Sequence, residues 1–496
     1  MSGPQEQADA HASPGLLGRD DSWEGVRALV TGFGVSGAAA ADTLQHLGAD
    51  VLVVDERAPE SGSQLQERAT ILQTLGVDLR LGTGATAALP QGRDLVVTSP
   101  GWRPDAPILV EAASRGIPVW GEVELAWRLR GPDAPPWLCL TGTNGKTTTV
   151  QMLDAMLRAA GLRSAAVGNV GRPVVEAVMD NEPLDVLALE LSSFQLHWTR
   201  SVAAQSAAVL NIADDHLDWH GSAAAYAADK ARIFEGVERA CVYNVDDPVT
   251  EQMVRQADVQ EGARAIGFTL GVPGLSMLGV VDGVLADRAF TPERRDSAVE
   301  LGAVSDLQDD SPHQVANALA AAALARSHGV PPAAVRDGLR SFRNGPHRRA
   351  LVAESDGVRW VDDSKATNPH AALASLSGVD SAVWVAGGLA KGARFDELVS
   401  HVRDRLRAVV LIGADAPIVA DALRRHAPDV PVVEVGSRED GPMDVMASVV
   451  DAAAGLARPG DVVLLAPGCA SMDQFASYAA RGDAFSAAVH ARLTKG

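Results

Sequence analysis

The chain has 496 residues, of which 47% are hydrophobic and 21% are charged, so it is neither a disordered chain nor too short for large cores. This length predicts about three domains of ordinary size. A formal net charge of −20 argues against nucleic acid and anionic membranes as main partners.

The N-terminal segment carries no pattern for export. Residues 1–22 lack a basic region followed by an apolar stretch, and no run in the chain approaches the roughly 18 apolar residues of a membrane span. The cysteines Cys139, Cys241 and Cys469 lie far apart, which is typical of a reduced compartment. We therefore expect a cytoplasmic protein with a disordered tail over residues 1–22.

The first predicted domain opens with a β-α-β unit. Residues 26–31 form an apolar strand, GFGVSG (32–37) follows, and a helix to Leu47 leads into a second strand, VLVVDE. This order predicts a Rossmann-like domain over residues 23–130, which the Pro/Gly-rich segment GPDAPP ends.

Two further α/β domains are expected. The central domain, residues 131–344, begins with a strand at 137 that runs into GTNGKTTT, and its later helices are predicted at 222–235, 312–328 and 332–341. The last domain, residues 345–496, has strands predicted at 358–362, 382–387, 408–412, 431–435 and 461–466. The fold class is thus α/β with three domains: N-terminal Rossmann-like, central of the P-loop ATPase type, and C-terminal doubly wound and Rossmann-like.

GTNGKTTT (142–149) is the strongest signal for chemistry. Its glycines let the backbone approach phosphate oxygens, and the following helix N-terminus favours an anion. Lys146 would neutralise phosphate charge, and the Thr147 hydroxyl would ligate Mg²⁺. Only two residues separate the glycines, against four in the consensus, so this is a shortened variant. The alternative, a plain glycine turn with helix-capping threonines, does not explain the lysine, since the chain has only five lysines.

GFGVSG fits the dinucleotide pattern GxGxxG, with Asp55 18 residues beyond Gly37. The pattern indicates a diphosphate cradle, but the residues alone do not choose between NAD(P) and another nucleotide diphosphate. A tight strand–helix turn without a ligand is the remaining alternative.

Further candidates follow other predicted strands. Glu190 ends DVLALEL, and His216 lies in NIADDHLDWH (211–220); a carboxylate and a histidine at neighbouring strand ends can ligate a divalent ion. Lys230 lies on a predicted helix, where the residues alone favour a surface lysine near Glu235. Three strand–helix loops, DDSKATN (362–368), GGLAKG (387–392) and PGCAS (467–471), together predict an anion-binding rim.

From about residue 25 onward, the chain resembles the Mur ligase family. The resemblance is carried by GTNGKTTT, ELSSFQL (190–196), NIADDHLDWH, HQVANALAA (313–321), GPHRR (345–349), DDSKATN and APGCASMDQF (466–475). It implies that the three domains bind UDP, ATP and an amino acid in turn, so the GFGVSG cradle is assigned to UDP rather than NAD. DDSKATN together with CASMDQF is similar to the D-glutamate-adding members. These members phosphorylate the carboxylate of UDP-N-acetylmuramoyl-L-alanine with ATP, and D-glutamate then attacks the acyl phosphate, in peptidoglycan precursor synthesis.

The resemblance also implies roles for individual residues. ATP would be held by Gly142, Thr143, Asn144, Gly145, Lys146, Thr147, Thr148, Asn317, Arg348 and Asp363. The UDP-sugar would be held by Gly34, Val35, Ser36, Gly37, Asp55, Arg57, Ser99, Gly101, Asn169 and Gln195. D-glutamate would be held by Thr367, Lys391, Ser471 and Tyr478. Two Mg²⁺ ions would be held by Thr147, Glu190, His216 and a carbamylated Lys230, and the catalytic residues would be Lys146, His216, Lys230 and Lys365.

Three other functions remain possible from the sequence. An NAD(P)-dependent oxidoreductase would leave GTNGKTTT and DDSKATN unexplained. A related amide ligase, such as a folylpolyglutamate synthase or the lysine- or diaminopimelate-adding enzyme, would lack DDSKATN with CASMDQF. A nucleotide-binding regulator without turnover would need a replaced catalytic residue. We expect small-molecule substrates and a monomer.

Overall fold

A computed structural model describes residues 17–180, 182, 184–435 and 441–494. Most of the predicted disordered tail, residues 1–16, lies outside the described residues. The chain forms two compact units. The first comprises Met1–Asn211, Ala227–Leu307 and Ala316–Ser341, and the second Ile212–Tyr226, Gln308–Val315 and Phe342–Gly496. No helix among the described residues is long and apolar enough to cross a membrane.

The first sheet, in the first compact unit, has five parallel strands in the order β3-β2-β1-β4-β5. The strands are β1 (Arg27–Thr31), β2 (Asp50–Asp55), β3 (Asp78–Leu81), β4 (Leu95–Thr98) and β5 (Val119–Gly121). Its helices are α1 (Val35–His46), α2 (Gln64–Thr74), α3 (Pro107–Ser114) and α4 (Glu122–Leu129). This is the Rossmann order, and GFGVSG follows β1, between β2 and β4, where such sheets bind ligands.

The second sheet, also in the first compact unit, has nine strands in the order β14-β13-β12-β11-β10-β9-β6-β8-β7. They are β6 (Trp137–Thr141), β7 (Ser164–Gly168), β8 (Val186–Glu190), β9 (Ser206–Val209), β10 (Ala240–Asn244), β11 (Arg264–Phe268), β12 (Met277–Val281), β13 (Val284–Asp287) and β14 (Val299–Ala303). The helices from this part of the chain are α5 (Lys146–Ala159), α6 (Val174–Met179), α7 (Ser193–His197), α8 (Leu217–His220), α9 (Ala223–Ala231), α10 (Pro248–Gln256), α11 (Pro312–His328) and α12 (Pro332–Ser341). Every residue of β6 is buried, because the strand lies between β9 and β8.

The third sheet, in the second compact unit, has six strands in the order β15-β16-β20-β17-β18-β19. They are β15 (Ala350–Ser355), β16 (Val358–Asp362), β17 (Ala382–Gly387), β18 (Leu406–Ile412), β19 (Val432–Glu434) and β20 (Val462–Leu465). Its helices are α13 (Pro369–Ser377), α14 (Asp396–Val402), α15 (Ala416–His426), α16 (Pro442–Leu456) and α17 (Tyr478–Leu493). Trp384 and Leu464 pack in one core and Val383 and Val463 in another, so both faces of the sheet are covered, as in a doubly wound fold.

The fold class predicted from the sequence is confirmed, while the residue boundaries of the three domains stay predictions. The helix predicted at 222–235 ends at Ala231 and continues as a 3-10 turn, Arg232–Phe234. Strand β15 was not predicted; it pairs antiparallel with β16 at the sheet edge. Its Leu351 side chain is exposed, so the segment lacks the continuous apolar run that marks a buried strand.

Candidate active site

The GTNGKTTT loop follows buried β6, which lies between β9 and β8 in the second sheet, and runs into α5. Gly145 has a φ of +83°, and a Cβ there would lie 2.3 Å from the Oδ1 of Asn317. Glycine is therefore required for both conformation and space. The same contact brings Asn317, a predicted nucleotide contact, against the loop.

The ammonium of Lys146 is held close to its own loop. Nζ donates to the carbonyl oxygens of Gly142 and Thr143, each at 2.8 Å. Lys146 is also the first residue of α5, so its charge adds to the positive end of the helix dipole. A lysine ammonium beside a helix N-terminus, whose first backbone amides have no partner within the helix, suits the binding of a triphosphate.

Asn211, to which the sequence analysis gave no role, braces this loop from the end of β9. Its Oδ1 accepts from the Asn144 amide at 2.9 Å, and its carbonyl oxygen accepts from the Thr143 amide at 2.9 Å. Its Nδ2 donates to the Asn144 carbonyl oxygen at 3.2 Å. Three hydrogen bonds to Asn211 therefore hold the loop at Thr143 and Asn144. On the first turn of α5, Thr147 is half-buried and Thr148 is buried.

Lys230 is buried beneath the loop, with 1% of its surface exposed. Its Nζ donates to Thr141 Oγ1 at 3.1 Å and to the Gly142 carbonyl oxygen at 2.9 Å. The surface lysine favoured by the residues alone is therefore wrong. Helix α9, which carries Lys230, is alanine-rich, so its sequence does not show which of its faces is buried. Only the packing of the helix in the fold shows that Lys230 lies on the buried face.

Glu190, at the end of β8, has one satisfied and one unsatisfied carboxylate oxygen. Oε1 accepts from Asn169 Nδ2 at 2.7 Å, whereas Oε2 is buried and has no hydrogen-bond partner among the described residues. A buried carboxylate oxygen without a partner is costly, and a divalent cation would satisfy it. The described residues contain no group of three His, Cys, Asp or Glu side chains placed to hold a metal, so Mg²⁺ here would need hydroxyl, phosphate and water oxygens as well.

His216 lies in the second compact unit, at the N-cap of α8. It has a φ of +53°, which is uncommon for a residue other than glycine. Its amide donates to Asp215 Oδ1 at 2.9 Å, and its Nε2 lies 3.6 Å from Asp215 Oδ2. Its role as a ligand of a second Mg²⁺ stays a prediction.

The GFGVSG loop is built differently from GTNGKTTT. A Cβ on Gly37 would lie 1.9 Å from the Gly32 carbonyl oxygen, so glycine alone lets α1 start this close to β1. Gly34, the N-cap residue, has no side chain to cap α1, and Val35 in the first turn is exposed. The amides of Gly34, Val35, Ser36 and Gly37 therefore suit a diphosphate, as predicted.

The Asp55 side chain holds this loop in place by a hydrogen bond. Its Oδ2 accepts from the Phe33 amide at 2.7 Å and its Oδ1 from the Arg57 amide at 2.9 Å. The Arg57 side chain is exposed, and Ser99 Oγ donates to the Gly32 carbonyl oxygen at 3.2 Å. The structure brings Asp55 and Ser99 to the loop, while their contacts with a UDP-sugar stay predictions.

The remaining predicted UDP-sugar contacts have structural partners of their own. Gln195 is buried in α7, where its Oε1 accepts from the Ser192 amide at 2.9 Å in a capping box. Asn169 orients Glu190, as described above, and Gly101 lies in an exposed turn after β4. Their roles toward the substrate are not decided by these contacts.

The three loops predicted to form a rim are joined in the second compact unit. They follow the adjacent strands β16, β20 and β17. Leu389 and Ala470 exchange two backbone hydrogen bonds, of 2.8 and 2.9 Å, and the Gly468 amide donates to the Ala366 carbonyl oxygen at 2.8 Å. DDSKATN, GGLAKG and PGCAS therefore form one continuous edge, called here the rim.

The predicted D-glutamate residues lie on the rim or next to it. Ser471 is buried, Thr367 half-buried, and Lys391 exposed with a φ of +50°. Lys365 Nζ lies 4.1 Å from the centre of the Tyr478 ring, a cation–π contact that links two predicted site residues.

Asp363 and Arg348, the other predicted nucleotide contacts, also lie in the second compact unit. Burial raises the pKa of Asp363 to about 6, although its carboxylate accepts from the Arg349 amide at 3.2 Å. A Cβ on Gly345 would lie 2.7 Å from an Arg348 guanidinium nitrogen, so Arg348 packs over the GPHRR segment.

Three family models match consecutive parts of the chain. A model described as the Mur ligase MurD-like N-terminal domain matches residues 26–121, the Mur ligase middle domain matches 140–325, and the Mur ligase glutamate ligase domain matches 347–469. The chain belongs to the Mur ligase family. Proteins named UDP-N-acetylmuramoylalanine–D-glutamate ligase are 59% identical in Streptomyces avermitilis, over 94% of this chain and 98% of that protein, and 49% identical in Mycolicibacterium smegmatis, over 95% and 97%.

Solved Mur ligase structures share the fold at low identity. The UDP-N-acetylmuramate–alanine ligase from Thermotoga maritima is 18% identical, with a TM-score of 0.54 over 95% of this chain and 100% of that chain. The MurF ligase from Thermotoga maritima, solved with ADP, is 18% identical, with a TM-score of 0.53 over 95% and 96%. A pseudomurein peptide ligase from Methanothermus fervidus is 17% identical, with a TM-score of 0.56 over 89% and 97%.

Proposed function

We propose that this Mur ligase joins D-glutamate to UDP-N-acetylmuramoyl-L-alanine at the expense of ATP, through an acyl phosphate, in cytoplasmic peptidoglycan precursor synthesis. The observation that carries the proposal is the identity of 48% to 59% with eight proteins of that one name, each over at least 94% of this chain. We propose that it works as a monomer.

The first step is phosphoryl transfer. A carboxylate oxygen of the L-alanyl group forms a bond to the γ-phosphorus of ATP, and the bond from that phosphorus to the bridging oxygen breaks, releasing ADP. Two anions must approach, so the step needs charge neutralisation and alignment more than covalent help. Lys146 and the loop amides supply this around the phosphates, and hydrogen bonds to Asn211 keep the loop in place.

Mg²⁺ would be held by Thr147 and by the unsatisfied Oε2 of Glu190, with His216 as the ligand of a second ion. When bound, it would screen the charge of the phosphate oxygens and so favour attack of the substrate carboxylate on the γ-phosphorus. Asn169 fixes the other oxygen of Glu190, which leaves Oε2 for the ion.

The second step forms the amide bond. The neutral amine of D-glutamate attacks the acyl carbon, a tetrahedral intermediate forms, and the carbon–oxygen bond to phosphate breaks; the amine's extra proton goes to solvent or to the departing phosphate. Thr367, Lys391, Ser471 and Tyr478 would hold D-glutamate on the rim, and Lys365 would stabilise the charge on the reacting groups. Water must be excluded, because it would hydrolyse the acyl phosphate.

A carbamate on Lys230 is the finer part of the proposal. Carbon dioxide would add to the amine, replacing a buried cation beneath the phosphate loop with an anionic group that can bind a metal. With carbon-13-labelled bicarbonate, NMR should detect a carbamate signal that is absent in Lys230→Ala. A wild-type enzyme that is active and lacks the signal would contradict the carbamate.

Phosphate release tests the activity itself. Purified protein, ATP, Mg²⁺ and UDP-N-acetylmuramoyl-L-alanine would be mixed with D-glutamate, L-glutamate, L-lysine or no amino acid. We expect turnover with D-glutamate alone. Equal turnover with L-glutamate, L-lysine or no amino acid would contradict the proposed substrate.

A further inference from the structure

Arg481 is a fully buried cation in the second compact unit, in the first turn of α17, with 0% of its surface exposed. Its guanidinium makes four hydrogen bonds. Nε donates to Ser364 Oγ at 2.9 Å and one Nη to the Ser364 carbonyl oxygen at 2.9 Å. Both Nη atoms donate to the Cys469 carbonyl oxygen at 3.1 Å.

Burying this charge is costly. No carboxylate of the described residues lies within ion-pair distance of Arg481, and burial lowers its pKa to about 10. The guanidinium is hydrogen-bonded to carbonyl and hydroxyl oxygens, and the carboxylates of Asp362 and Asp473 favour its charge only from a distance. Methionine or leucine would fill the same space without this cost, so what arginine adds is its rigid fork of donors.

The fork joins the segments that carry the predicted D-glutamate residues. Ser364 belongs to DDSKATN, beside Lys365, and Cys469 lies in PGCAS, two residues before Ser471. Ser364 Oγ accepts from Arg481 and donates to the Tyr478 carbonyl oxygen at 2.7 Å, which ties the start of α17 to the same point. One guanidinium therefore sets the spacing of two rim loops and of the helix that carries Tyr478.

We infer that Arg481 is a positioning residue for the amino-acid substrate: it never touches D-glutamate but fixes the distances between the groups that bind it. The inference rests on the proposed D-glutamate site. It predicts that loss of the guanidinium raises the KM for D-glutamate more than the KM for ATP. Of the predicted ATP contacts only Asp363 lies beside the fork, and the GTNGKTTT loop is held by hydrogen bonds to Asn211 instead.

The test uses the full-length enzyme with Arg481→Met, which keeps the volume and removes the donors, and Arg481→Lys, which keeps the charge without the fork. Arg481→Met loses all four hydrogen bonds of the guanidinium, so we expect its KM for D-glutamate to rise about tenfold or more, and that of Arg481→Lys to rise by less. The KM for the UDP-sugar should stay within about twofold, and the KM for ATP should rise less than the KM for D-glutamate.

The matched control is Arg407→Gln. Arg407 lies in the same unit near the start of β18, at the opposite end of the strands from the rim, and its Nε lies 3.1 Å from an Asp461 oxygen. Its loss should lower the melting temperature without changing the KM for D-glutamate. If Arg481→Met does not fold, Ser364→Ala, which removes one acceptor of the fork, should still raise the KM for D-glutamate selectively.

An unchanged KM for D-glutamate in a folded Arg481→Met, or equal changes in all three KM values, would overturn the inference and leave Arg481 a purely structural residue. Failure of the wild-type enzyme to use D-glutamate would instead overturn the proposed function, so the two failures are distinguishable.

Discussion

The two glycine-rich loops of the first compact unit have the same strand–loop–helix form and different supports. GFGVSG is braced by an anion, because buried Asp55 accepts from its Phe33 amide. GTNGKTTT is braced by the neutral amide of Asn211, and its own Lys146 donates to the Gly142 carbonyl oxygen.

This difference fits two different tasks, the binding of a diphosphate by GFGVSG and the transfer of a phosphoryl group at GTNGKTTT. A diphosphate that is only held needs amides and a helix N-terminus, and the Asp55 carboxylate orients the loop that carries those amides. A phosphoryl group that is transferred needs positive charge beside it to neutralise the negative charge of the reacting groups, which Lys146 and Mg²⁺ would supply. We therefore expect substitutions in GFGVSG to change binding and substitutions in GTNGKTTT to change the rate.

Lys146→Ala should have the largest effect. Loss of the cation beside the transferred phosphoryl group should lower kcat about 10³-fold, or about 4 kcal/mol. Lys146→Arg should restore little, since the wide guanidinium does not replace a compact ammonium at a phosphate. Phosphate release measures both variants, and a near-normal rate for Lys146→Ala would contradict the role of the loop.

Glu122→Gln tests the contact between helix α4, which belongs to the part of the unit with the GFGVSG loop, and helix α6, which belongs to the part with the GTNGKTTT loop. Glu122, in the first turn of α4, accepts from the Val175 amide of α6 at 2.6 Å, and burial raises its pKa to about 7. The folded state therefore favours the protonated form, so the stability from Glu122 is present below about pH 4.5 and is lost as the pH rises through about 7.

Near pH 8, Glu122→Gln should consequently be more stable than the wild type by up to about 3 kcal/mol, and near pH 4.5 the two should be equal. Urea unfolding at both pH values measures the difference. A difference that does not change with pH would show that Glu122 keeps its ordinary ionisation in the fold.

Gly37→Ala tests the binding loop. The added Cβ would lie 1.9 Å from the Gly32 carbonyl oxygen, so the start of α1 must shift, at a cost of about 1–3 kcal/mol. The KM for the UDP-sugar should rise while kcat stays near normal. Gly131→Ala is the matched control, because its Cβ would meet no atom within 4 Å and the residue lies outside the predicted site. A larger effect at Gly131 than at Gly37 would reverse the account of this loop.

Glu190→Gln should have the smallest effect of the four. It keeps an oxygen that can accept from Asn169 and removes the charge, so half-maximal activity should need about tenfold more Mg²⁺. Titration of activity against Mg²⁺ measures this change, with Gly131→Ala again as the control. An unchanged Mg²⁺ requirement would place the ion elsewhere.

Much of this molecule was predictable from the sequence because local patterns determine it. Apolar strands alternating with helices predict the doubly wound sheets, and helix α12 has its predicted bounds, 332–341. Glycines at 37 and 145 mark the two loops because those positions tolerate no side chain. The three rim loops could be grouped because adjacent parallel strands end at the same edge.

The rest depends on contacts between distant segments. Nothing near Lys230 in the chain shows that it lies under the Gly142 carbonyl oxygen, 88 residues away. Arg481 resembles any other helical arginine until Ser364, 117 residues earlier, is found against it. The small number of lysines indicated part of the site, since four of the five lysines lie in the proposed site segments.

Transfer of oxygen between the substrates tests the central claim most directly, namely that GTNGKTTT moves a phosphoryl group onto the carboxylate bound through GFGVSG. UDP-N-acetylmuramoyl-L-alanine would be labelled with oxygen-18 in its alanyl carboxylate and converted with ATP and D-glutamate. The carboxylate oxygen that bonds to phosphorus leaves with it, so the account predicts one labelled oxygen in each phosphate released. Phosphate without label would contradict it.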